Sequence, residues 1–108
     1  MQDRKQRADS LVGQKGWHCC QYVAYVIYGD KSKNHGGAAG WHKQGSVVQD
    51  PENADIITNG SHVGVIIKVG QTIYVYHAPG INSPNPIKAY PYADFIKYVI
   101  KNGTLRQL

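Results

Sequence analysis

The chain has only two cysteines, and they are neighbours, Cys19 and Cys20. Adjacent cysteines rarely pair, because the ring they would close is strained. No disulfide framework can therefore hold the fold, and the count leaves the compartment open. No CxxC pair is present, and two thiols in a row are too few for a structural zinc site. No apolar run is long enough to span a bilayer. Met1 to Arg7 is polar and lacks the apolar stretch of a signal peptide. Action outside the cytoplasm would then require a longer parent chain or a dedicated secretion machine. Internal repeats and low-complexity linkers are also missing.

What remains is one ordinary folding unit. The 108 residues suit a single domain, 1–108. A chain of this size buries roughly two thirds of its unfolded surface. Hydrophobic residues make up 42%, so a folded globule is expected rather than disorder. Twelve Lys and Arg against seven Asp and Glu give a net charge of +5. A positive field attracts anionic polymers, whether nucleic acid, anionic membrane or cell-wall glycopolymer. Only Arg4, Lys5 and Arg7 cluster, and a terminal run of charge is usually a solvated face.

Asp3 to Val12 reads as a short helix closed by Gly13. In Cys19 to Tyr28 (CCQYVAYVIY), Cys19, Tyr22, Val23, Val26 and Ile27 fall at i, i+3, i+4, i+7 and i+8. That helix is apolar almost all round, which predicts burial, and Gly29 is its natural stop. Lys31 to Gly45 reads as a mobile loop with one short helix near Ala38 to Lys43. Ala54 to Thr58 looks like a strand. His62 to Val69 and Thr72 to His77 form a hairpin around Gly70-Gln71. A proline-rich loop, Pro79 to Pro86, follows. Tyr92 to Lys101 reads as a last helix, stopped by Asn102-Gly103. Helices first and antiparallel strands after make an α+β layout.

A thiol attacks a carbonyl carbon well only as thiolate, which a helix N-terminus and a neighbouring imidazolium both favour. Cys19 stands where the buried helix begins. Of the histidines His18, His35, His42, His62 and His77, two lie in strands. His62 opens one arm of the hairpin and His77 closes the other. An imidazole at such a strand end can face a helix N-terminus packed on the sheet, and a second polar group would fix its tautomer.

At these residues the chain resembles papain-like cell-wall peptidases of the NlpC and CHAP types. Cys19-Cys20-Gln21-Tyr22-Val23 is similar to their nucleophile helix start. Asn53-Ala54-Asp55-Ile56-Ile57 resembles their Pro-Gly-Asp-apolar strand. Ser61-His62-Val63-Gly64-Val65 resembles their Ser-His-Val-Gly-Ile strand, and Ile73 to Ala78 the apolar-His-Ala strand after it. The four pieces occur in the family's order, over about residues 8 to 78. The resemblance implies a papain-like α+β fold, with N-terminal helices and the nucleophile helix packed on a small antiparallel β-sheet. It implies a Cys–His–His triad in which Cys19 attacks, His62 is the base and His77 orients His62. It also implies hydrolysis of an amide in peptidoglycan stem peptides, with no metal and no cofactor.

There are departures from the family pattern. His18 stands where an aspartate usually precedes the cysteine, and Cys20-Gln21 replaces a small Ser-Gly pair. The tyrosine-containing segment that helps form the oxyanion hole in many relatives is cut to Gln14-Lys15-Gly16-Trp17. The backbone N–H of Cys19 remains a candidate oxyanion donor.

Each assignment has a plainer competitor. Cys19 could be a buried structural thiol, and His62 and His77 could make ordinary hydrogen bonds. Cys20 falls about 100° around the helix, a packing position, although a register with Cys20 as nucleophile stays open. Trp17, His18 and Trp41 are candidate substrate contacts, while aromatic core packing is the alternative for the tryptophans. The expected partner is peptidoglycan or another anionic cell-wall polymer, met in the periplasm or cell wall. An immunity or inhibitor protein is a further candidate; a membrane span and nucleic acid are not expected. The rival functions are a papain-like toxin or effector acting on a cytoplasmic protein or RNA target, and a basic RNA-binding domain using His62 and His77 on a phosphodiester.

Overall fold

The computed structural model describes residues 3–108. Helix α1, Arg4–Ser10, starts where Asp3 and Gln6 cap each other: the Gln6 N–H donates to Asp3 Oδ1 at 2.8 Å and the Asp3 N–H to Gln6 Oε1 at 3.2 Å. It ends three residues before Gly13, sooner than its sequence suggests, in turns closed by Val12 N–H to Asp9 O and Gln14 N–H to Leu11 O. Helix α2 spans Cys19–Tyr28, the range its apolar period predicts, and Gly29 stops it with a left-handed φ of 73°. Arg7 locks the two helices together. Its guanidinium donates to the Val26 and Ile27 carbonyls, satisfying acceptors that the end of α2 would otherwise leave open.

The Lys31–Gly45 segment carries helix α3, Ala38–Trp41. Beyond it lie strands β1 (Ser46–Val48), β2 (Ile56–Thr58), β3 (Val63–Val69), β4 (Thr72–His77) and β5 (Lys88–Pro91), then helix α4 (Tyr92–Tyr98) and strand β6 (Thr104–Gln107). All neighbouring strands are antiparallel, in the order β1-β6-β2-β3-β4-β5. The result is an α+β domain with four α-helices and one six-stranded sheet among the described residues. No helix among them is long and apolar enough to cross a membrane.

Three strands add to the sequence reading: β1, β5 and β6. They are only three or four residues long and mostly exposed or half-buried, so no alternation marks them. The 92–101 helix is shorter than expected, because its last turn opens after Tyr98 and the Ile100 N–H reaches back to the Phe95 carbonyl.

Both faces of the sheet are covered, which explains the nearly continuous apolar run of β3. Val63, Val65 and Ile67 face one way and join Ala8, Tyr22, Val23, Val26 and Ile27 in a core beneath α1 and α2. Ile66 faces the other way, with Ile57, Val75, Phe95 and Ile100 beneath α4. Gly64 belongs to this second face. A β-carbon there would come within 2.7 Å of Val75 Cγ1 and 3.2 Å of Phe95 Cζ. Its missing side chain lets Phe95 approach the sheet, and Phe95 in turn walls His77, with ring centroids 5.2 Å apart.

Candidate active site

Cys19 occupies the first position of α2, and its half-buried thiol leans on the head of β3. Burial pushes the thiol above its ordinary value of 9.0. Hydrogen bonding from the Val63 N–H opposes this most strongly, and the N–H groups of Cys20 and Cys19 oppose it further; the adjacent Cys20 thiol adds to the rise. Burial wins, so the resting sulfur is a neutral thiol at pH 7. The Val63 N–H is available because strand pairing opens at this end. β3 and β4 run on to Val63 and His77, but their pairing stops at Val65↔Tyr76.

His62 is set by the turn in front of β3. Asn59 Oδ1 accepts from the N–H groups of Ser61 at 2.9 Å and His62 at 2.8 Å, and Thr58 Oγ1 accepts from Gly60 at 3.2 Å. Gly60 supplies the left-handed φ of 88° that the turn requires. The ring thus held meets the last residue of β4: His62 Nε2 and His77 Nδ1 are 2.8 Å apart, with the ring planes perpendicular at 89°. His77 is buried against Phe95 and Tyr90, at 5.2 and 5.4 Å between centroids.

Burial lowers the His62 pKa. Burial, with the His62 ring as a lesser cause, lowers that of His77 to about 4. Both imidazoles are therefore neutral at pH 7, each carrying one N–H, and one of those two protons lies in the bond between the rings. With that proton on His62 Nε2, donating to His77 Nδ1, His62 Nδ1 is left as a free base. The structure thus brings His62 and His77 into direct contact and sets the Cys19 sulfur against Val63, the residue after His62. The sulfur makes no hydrogen bond to the His62 ring itself among the described residues.

Buried neutral histidines make the fold acid-sensitive. Unfolded, His77 takes up a proton near pH 6.5; folded, only near pH 4. Between those values the unfolded chain binds more protons, so stability is full above pH 6.5 and falls as the pH drops toward 4. At pH 4.5 the loss from His77 comes to about 2–3 kcal/mol. In His77→Gln, which accepts from His62 but does not titrate, urea unfolding at pH 7 and pH 4.5 should differ by about that much less than in wild type. Equal acid sensitivity in both proteins would rule out His77 as its source.

The other candidates sit differently. Trp41 is fully buried; its ring stacks on Tyr28 at 5.9 Å and 17°, meets the His35 edge at 4.4 Å, and donates Nε1–H to the Cys20 carbonyl at 3.3 Å. This corrects its reading as a substrate contact, because no face of the ring is open to a ligand. Trp17 is half-buried against Tyr25, with Lys31 Nζ 5.5 Å over its ring, so it lines α2 and keeps only part of its surface free. His18 is exposed at the head of α2 and makes no side-chain capping bond.

Two neighbours of this site were not assigned to it from sequence: Asn59, and His42, which was named only among the five histidines. Asn59 fixes His62 through an Asx turn, and the Asn59-Gly60 pair carries the signal for one. His42 rests on the same turn, its ring 3.9 Å from where a β-carbon on Gly60 would lie, with Nδ1 buried and without a partner. Nothing in its loop sequence marks it. Comparison of the chain with protein-family models, curated proteins and solved structures returns no match. A charged cavity of about 490 Å³ lies elsewhere, lined by residues that include Arg4, Glu52, Asp55 and Lys68; Arg4 and Asp55 already pair there at 2.6 Å.

Proposed function

We propose that the chain is a papain-like cysteine hydrolase of the NlpC type that cleaves amide bonds in peptidoglycan stem peptides. The observation that carries this reading is the His62–His77 pair, 2.8 Å apart, at the strand end on which the Cys19 sulfur rests. The sulfur would attack the amide carbonyl while its proton passes to His62 Nδ1. His62 Nε2–H would hold its bond to His77 Nδ1 throughout, fixing ring and tautomer. The imidazolium would then protonate the leaving amine, giving a thioester, and water activated by the neutral His62 would release the acyl group and restore the thiol. Because the resting thiol and imidazoles are neutral, proton transfer accompanies attack instead of preceding it. The N–H groups of Cys19 and Cys20 stand beside the sulfur as candidate oxyanion donors.

The positive net charge suits an anionic cell-wall polymer as partner. Such a substrate places the active protein in the periplasm or cell wall. Phosphodiester cleavage by the two histidines is disfavoured by the same geometry, since rings bonded to each other leave no room for a phosphate between them.

The test is a digest of purified sacculi read by mass spectrometry. New amine and carboxyl ends within stem peptides are expected, and prior alkylation of the protein with iodoacetamide should abolish them. An unchanged fragment pattern would end the substrate assignment. Cleavage that survives alkylation would end the thiol mechanism.

A further inference from the structure

His77 has a second ring nitrogen that the His62 contact does not use. Nδ1 faces His62, and Nε2 has no hydrogen-bond partner among the described residues. If His77 accepts at Nδ1, its own proton must sit on Nε2, which is then a donor open to solvent or to a ligand on the side of the ring away from His62. His77 also lines a cavity of about 450 Å³, within the size range of small-molecule sites. Asn85, Lys88 and Tyr90 contribute polar groups to it, Pro79 and Pro86 contribute apolar wall, and no acidic side chain lines it. Lys88 is steadied at this rim, its Nζ 5.0 Å from the centre of the Tyr90 ring, and that ring lies 5.4 Å from His77. One ammonium, one imidazole N–H and one amide beside apolar surface match a singly charged organic anion better than a phosphate dianion.

We propose that this cavity binds a small organic carboxylate, about the size of an acylated amino acid or dipeptide, and that the bound anion strengthens His62 as a base. The carboxylate accepts from His77 Nε2–H and pairs with Lys88. Polarised by that bond, His77 Nδ1 becomes a better acceptor for His62 Nε2–H, and His62 Nδ1 takes the Cys19 proton more readily. The proton moves from sulfur to His62 Nδ1; nothing else is transferred. The binding half of the proposal stands on the cavity alone, whereas the effect on Cys19 rests on the hydrolase reading above.

The probe is N-acetylalanine, titrated into the whole protein while the His77 ring signals are followed by NMR. A saturable shift is expected, at least tenfold weaker for the uncharged N-acetylalaninamide, for inorganic phosphate, and for Lys88→Met with N-acetylalanine. In parallel, the rate of Cys19 alkylation by iodoacetamide at pH 7 should rise several-fold at saturation in wild type and stay flat in Lys88→Met. No saturable shift, or an equal response to the amide, would overturn the site. A tighter response to phosphate would overturn its assignment to carboxylates. A shift with unchanged alkylation would overturn the coupling to Cys19. A persistent shift in a protein that leaves sacculi intact would remove the hydrolase reading and keep the site.

Discussion

Cys19→Ala should remove sacculus hydrolysis, with a rate loss of about 10⁴-fold or more, whereas Cys20→Ala should stay within a few-fold of wild type. The two thiols differ in what surrounds them. Cys19 opens α2 and packs on the core that includes Val63, the first residue of the strand His62 precedes, and the N–H groups of Val63, Cys20 and Cys19 oppose the rise of its pKa. Cys20 lies about 100° further around α2, half-buried against the α1–α2 core, and its carbonyl receives the Trp41 N–H. His62→Ala should lose nearly as much as Cys19→Ala, because a neutral thiol at rest depends on a base during attack. His77→Ala should cost less, roughly 10²-fold, since a neutral imidazole orients His62 without the field of a carboxylate. Each variant needs its thermal midpoint measured beside its activity, because Cys19 also packs on the core. Full activity in Cys19→Ala with loss in Cys20→Ala would move the nucleophile by one residue. Full activity in both would end thiol catalysis.

The parts of this site that sequence reveals are those fixed by local periodicity. The apolar spacing from Cys19 to Ile27 and the stop at Gly29 define α2 without outside help. The two-residue turn Gly70-Gln71 fixes the hairpin register, Val69↔Thr72 through Val65↔Tyr76. Followed outward, that register carries residues 62 and 77 to the same end, so the histidine contact is already implicit in the turn. What periodicity does not carry is pairing at long range. β6 lies between β1 and β2, joining Leu105 to Val48 on one side and Ile57 on the other, and no local signal marks four residues with such distant partners. Protonation state is equally hidden. A helix N-terminus argues for a thiolate at Cys19, yet in the folded chain burial outweighs it. A loop aromatic is ambiguous too, since a cleft wall and a core plug share the same composition.

Trp41 shows the force of that ambiguity. Trp41→Ala is expected to cost about 3–5 kcal/mol, the range for emptying a fully buried aromatic site. Stability for a domain of this length totals about 5–15 kcal/mol, so the variant should be marginal. A fall in thermal midpoint on the order of 15 °C or more follows. The cause is specific: the indole fills the space between α2 and α3, stacked on Tyr28 and edged by His35, and its N–H bonds the Cys20 carbonyl. Trp41→Phe keeps the aromatic packing and loses the hydrogen bond, so its cost should be nearer 1–2 kcal/mol. A wall of the substrate cleft would behave otherwise, raising KM in Trp41→Ala while leaving the midpoint within a degree or two. Since the lost N–H bond touches the residue after Cys19, Trp41→Phe also separates the two roles. Placement of the nucleophile would register as a lower kcat at unchanged KM, and substrate contact as the reverse.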